Sequence, residues 1–172
     1  GLGDVYKRQL LDVLGKEEKQ YQELITLASE KTDAVVQGNI EHLTDVTTRE
    51  QDAASVLLNL SNKRNRVLTD MATVLGQSPE EMTITKMIGY LNKQPKEQEA
   101  LTRQRDRLLE AGAKMQQLNR QNEALLKQAL EMVEFDLTLL KSMRQAPETA
   151  NYNKNAYNTG DLLGGSGFDA KQ

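Results

Sequence analysis

Across residues 10–143 the apolar side chains return, for most of the length, every three or four positions. That spacing puts them on one side of a 3.6-residue helix, so the chain must fold as helices that hide a stripe. No Asn-Gly or Asp-Gly pair offers a hairpin turn between strands. The first stripe holds Leu10, Leu14, Tyr21, Leu24/Ile25, Ala28 and Val35/Val36, interrupted by Glu17-Glu18. Gly38-Asn39 ends it, and Asn39 can cap the helix that follows. The second stripe runs Ile40, Leu43 and Val46, crosses a polar patch at 47–52, then continues through Ala54, Leu57, Leu60, Val67/Leu68, Met71 and Leu75 to Gly76. Ser78-Pro79-Glu80-Glu81 has the form of a capping box with Pro at the first helical position. It opens, alone or with a second start at Thr83, a short amphipathic piece carrying Met82, Ile84, Met87, Ile88 and Leu91. Pro95 begins a third long helix that reaches about Met143, with Pro147 to stop it. At 1.5 Å per residue the three long helices measure roughly 40, 54 and 73 Å. The expected fold is all-α: an antiparallel bundle of three long helices with a short helical insert and a disordered C-terminal tail.

Composition narrows the function. Apolar residues make up 38% of the chain and aromatic residues 4%, which favours a narrow aliphatic seam over a wide core. With no Cys, disulfides, thiolate metal sites and Cys nucleophiles are all excluded. A single His, His42 in the first turn of the second helix, rules out a multi-His metal cage and reads as a solvated side chain. Glu17-Glu18 and Glu50 lack the Glu-x-x-His partners of a di-metal bundle site and read as a solvated or ion-paired face. No nucleotide motif is present, so neither a cofactor nor a metal is expected, and the chain is not expected to be an enzyme. The net charge is −3, with the signs well mixed. The basic runs Lys63-Arg64-Arg66 and Arg103/Arg105/Arg107 lie among Asp70, Glu99, Asp106 and Glu110, so nucleic acid is not an expected partner. No apolar run is long enough to cross a membrane.

The ends read differently from the middle. Residues 1–9, GLGDVYKRQ, show no helical apolar period and read as a non-native or disordered leader. Residues 145–172 are rich in Gly and Asn and read as a disordered tail with isolated anchors at Tyr152, Tyr157, Leu162-Leu163 and Phe168. The domain between them spans residues 10–144.

The third long helix changes character along its length. Up to Leu118 its seam is sparse: Leu101, Leu108, Met115, Leu118. From Leu125 two adjacent stripes emerge. One joins Leu118, Leu125, Ala129 and Met132; the other joins Leu126, Leu130, Val133, Leu137 and Leu140. One stripe faces the bundle. The other either meets a partner or is buried because the helix is sandwiched between both neighbours. The helix outlasts its neighbours, so part of it should overhang. Asn119 and Asn122 read as polar residues that set the register of the seam. Met71, Met82 and Met87 read as core filling.

The run Leu118-Asn119-Arg120-Gln121-Asn122-Glu123-Ala124-Leu125-Leu126-Lys127-Gln128-Ala129-Leu130 resembles the third-helix pattern of the FlgN family of bacterial flagellar export chaperones. Leu10-Leu11-Asp12-Val13-Leu14 with Glu17-Glu18, Tyr21 and Leu24 is similar to the first helix of that family. So is the break Val36-Gln37-Gly38-Asn39 before Leu43 and Glu50-Gln51, although an acidic residue often follows the Gly there. The likeness covers about residues 10–145. It implies a cytoplasmic, non-enzymatic chaperone of the flagellar type III export pathway, with hook-associated proteins as clients held by their disordered C-terminal segments. It implies a client-binding surface on the last helix, at Leu125, Leu126, Leu130, Val133, Leu137 and Leu140. It also implies contact with the flagellar export gate or ATPase complex through a tail tyrosine, with Tyr157 and Tyr152 both candidates. The rival from the residues alone is a coiled-coil scaffold that buries the same stripe in a homodimer.

Overall fold

The computed structural model describes residues 2–144 and is helical throughout its long segments, with no strand among the described residues. Helix α1 spans Leu2–Gln37, α2 Ile40–Val74, α3 Ile84–Gly89 and α4 Pro95–Arg144, with a single 3-10 turn at Pro79–Glu81. The first nine residues depart from expectation: α1 begins at Leu2, and Tyr6 packs against the core. Tyr6 stands one helical step before Leu10, so the stripe extends a turn upstream, and Asp4 supplies an acidic first turn. The tail 145–172, with Tyr152 and Tyr157, lies outside the described residues.

The breaks follow from local chemistry. Gly38 has φ +65° and Gly76 φ +67°, the left-handed conformation that lets a helix end without a Cβ clash. Around each, two backbone bonds close the same motif: Gly38 N–H to Val35 O and Asn39 N–H to Ala34 O, then Gly76 N–H to Thr73 O and Gln77 N–H to Ala72 O. Asn39 caps α2, its side chain accepting from the His42 N–H at 3.0 Å. Replacing Asn39 with Ala should lower stability by about 1 kcal/mol, readable as a lower urea midpoint with unchanged slope. Ser78 forms no side-chain cap, and the 3-10 turn after Pro79 ends at once. It is Thr83 that caps α3, accepting from the Lys86 N–H at 3.1 Å.

Successive long helices alternate in direction. Glu17 of α1 meets Ser61 and Arg64 of α2, while Lys31 meets Glu50, so rising numbers on α1 face falling numbers on α2. Glu18 meets Gln104, Tyr21 lies beside Gly112, and Ala28 meets Asn122, so α1 and α4 run parallel. The insert between α2 and α4 plugs one end of the bundle. There Met87, Ile88 and Leu91 join Leu10, Val13 and Leu14 of α1, Val67, Leu68 and Met71 of α2, and Leu101 and Leu108 of α4. A second cluster, Leu24, Leu27, Val46 and Ala53 with Leu57 and Met115 against it, continues the core toward the Gly38 turn. Met71 and Met87 are buried and Met82 packs on the first cluster, as core filling requires.

Candidate partner-binding surface

Polar side chains inside the seam set the register of α4. Asn122 is 1% exposed; its side-chain N–H donates to the Ala28 carbonyl at 2.8 Å, and the Thr32 hydroxyl donates to its oxygen at 2.5 Å. A buried amide satisfied only at this level penalises any slip of α4 along α1. Asn119, its companion in the sequence reading, is half-buried. Glu17, fully buried, pairs through Oε2 with Arg64 at 2.8 Å and Ser61 at 3.2 Å, leaving Oε1 without a hydrogen-bond partner. It is therefore ion-paired, one of the two expected states, but in the interior and not on a solvated face. Lys31 pairs with Glu50 at 3.1 Å, and Glu18 accepts from Gln104 at 2.7 Å. The three carboxylates are thus kept apart, Glu17 toward α2, Glu18 toward α4 and Glu50 farther along the bundle, each with its own partner. Among the described residues no cluster of His, Asp and Glu could hold a metal ion.

The register fixes where the bundle ends. From the level of Ala28 and Thr32, α1 has five to nine residues left before Gln37. Counting the same distance from Asn122, α4 passes the end of α1 near residues 127–131 and runs on to Arg144. The overhang is about 20–25 Å of single helix.

The six residues named as a client surface divide along this line. Leu126, at 8% exposure, is the last buried residue of α4, so it closes the bundle core and is not part of an open stripe. Leu125, Leu130 and Leu137 are half-buried, and Val133 and Leu140 are each 46% exposed. On a helical wheel Leu130, Val133, Leu137 and Leu140 fall within about 80° and continue the side that Leu108 and Leu126 turn to the core. The stripe of Leu126, Leu130, Val133, Leu137 and Leu140 is thus the bundle-facing one, buried as far as Leu126 and open beyond it, while Leu118, Leu125 and Ala129 of the adjacent stripe are half-buried and Met132 is exposed. The sandwiched helix is α1, which packs on both α2 and α4.

A second open set went largely unassigned in the sequence, where only Met132 was placed, at the end of the Leu118 stripe. Met132, Phe135, Leu139 and Met143 are all exposed. They share a face centred about 140° from the first on the same wheel. The signal was available: beside α1 that face carries Gln117, Gln121, Ala124 and Gln128, all exposed, with half-buried Leu125 at its edge, and it becomes mostly apolar from Met132. Tyr152 and Tyr157 lie outside the described residues. In the two basic runs Arg64 pairs with Glu17, Arg103 with Glu99, Arg105 with Asp106 and Arg107 with Glu18.

A narrow bundle whose longest helix projects apolar faces into solvent has the form of a helical binding protein, since exposed apolar surface of this extent marks partner sites. The sequence profile of the family described as FlgN protein matches residues 7–160, nearly the whole chain. The chain belongs to the FlgN family, the flagellar export chaperones, whose members bind flagellar hook-associated proteins. No curated protein and no solved structure matches it significantly. Among the described residues no helix is long and apolar enough to cross a membrane.

Proposed function

We propose that this chain acts in the cytoplasm, holding the disordered C-terminal segment of a hook-associated protein on the α4 overhang. It prevents premature assembly of that client and hands it to the export gate. The observation that carries this reading is the coincidence of two boundaries: burial on α4 stops at Leu126, and α1 ends within a turn or so of that level, yet the apolar sequence runs on to Met143. A disordered amphipathic client gains the missing burial by folding onto the stripe, and the ordering cost keeps the complex reversible. Release is left to the gate or its ATPase complex, with a tail tyrosine, Tyr152 or Tyr157, as the contact.

The test is light scattering on a sizing column, with and without the C-terminal segment of a hook-associated protein from the same genome. The expected result is a monomer that becomes a one-to-one complex with added helical signal at 222 nm. A stable homodimer indifferent to the segment would instead show the stripe occupied by a second copy, and the scaffold function would replace the chaperone one.

A further inference from the structure

The overhang has two apolar faces, and they begin at the same level. Face one, Leu130, Val133, Leu137 and Leu140, continues the intramolecular α1–α4 interface past the end of α1. Face two, Met132, Phe135, Leu139 and Met143, is mostly polar beside the bundle, where half-buried Leu125 stands at its edge, and mostly apolar where α1 no longer runs alongside. Charged residues separate them: Lys127, Glu134 and Lys141 on one side, Asp136 on the other.

One amphipathic helix laid against another covers a single stripe, so faces about 140° apart on the wheel need two occupants. A second copy does not supply them. A two-fold dimer matches one face with itself and leaves the other in water. Resting on the chaperone function proposed above, we infer that one client chain covers both faces with two amphipathic segments, making the overhang the central helix of a bundle that forms on binding. A segment on face one lies in line with α1 and meets the α1–α2 turn end-on. That turn carries Val36 and Ile40, 70% and 76% exposed, as apolar surface for it to abut.

The absence of Cys makes the test direct. Three full-length single-cysteine variants, Val133→Cys on face one, Phe135→Cys on face two and Leu58→Cys on the outer side of α2, are modified with a maleimide. Each is treated alone and with the C-terminal segment of the hook-associated protein, after calorimetry on the unsubstituted chain has measured binding. With the segment at ten times its Kd, modification of the Val133→Cys and Phe135→Cys variants should slow by about tenfold, since only about a tenth of the sites stay free. The Leu58→Cys variant should react at an unchanged rate. A measured complex that protects the thiol on only one of the two faces overturns the two-segment arrangement and leaves the chaperone reading standing. Slow modification on either face before the segment is added also overturns it, assigning that face to residues 145–172 or, if scattering shows a dimer, to a second copy. No complex by calorimetry removes both proposals together.

Discussion

Replacing both Leu130 and Val133 with Asp should weaken client binding by about a hundredfold or more while leaving the bundle intact. Each apolar side chain buried in a complex contributes about 1.5–3 kcal/mol, and a carboxylate facing the client must also be desolvated without a partner. Two such losses exceed the roughly 2.8 kcal/mol of a hundredfold change. The free protein should tolerate the change because Val133 is 46% exposed and Leu130 half-buried on a helix beyond the core. Calorimetric titration reads the affinity, and helical signal with the thermal midpoint reads the fold. Leu126→Asp, one turn earlier, is the contrast: at 8% exposure it puts a charge into the bundle and should lower the midpoint itself. Unchanged affinity in the double variant would move the client site off the overhang.

Arg64→Ala should destabilise the free protein by about 2–4 kcal/mol at neutral pH, since breaking a buried ion pair strands the remaining charge. Arg64 is a quarter exposed, which holds the figure below that of a sealed pair, whereas Glu17 has no solvent contact at all. Burial pushes the Glu17 carboxyl up from its ordinary 4.5, against the pull of Arg64 and Ser61, and removing Arg64 leaves burial less opposed. A carboxyl raised in the folded state contributes stability that is fully present below its unfolded value and is lost as pH rises through the folded one. The penalty of Arg64→Ala should therefore be largest at neutral pH and shrink as pH falls toward 4.5, as protonation neutralises Glu17. Urea midpoints over that range read the effect. Adding Glu17→Gln to Arg64→Ala should recover stability at pH 7 by removing the stranded charge.

The breaks and caps were legible because they are local. Gly38, Gly76 and Thr83 each act through bonds within five residues and set the ends of α1 and α2 and the start of α3, as Pro95 sets the start of α4. The apolar period likewise showed an all-helical chain and singled out the dense end of α4. Three things were not legible, and each depends on residues far apart in the chain. The first nine residues lack a period of their own but extend α1, because Tyr6 has a core to pack against only once α2, the insert and α4 are in place. Glu17 read as solvated or ion-paired; the ion pair is there, but its burial was not legible, since Ser61 and Arg64, which enclose it, come from α2.

The third is the site itself. The sequence determined that the end of α4 carries apolar residues on more than one face, because hydrophobicity and helical period are properties of the residues alone; whether a neighbour or a partner covers them stayed open. Only the tertiary structure decided which of that surface is open, because exposure depends on where a neighbour stops. Asn122, held by Ala28 and Thr32, sets the level of α1 against α4, and that level puts Leu126 inside and Val133 outside. It also puts the start of the second face, Met132 and Phe135, level with the end of the bundle.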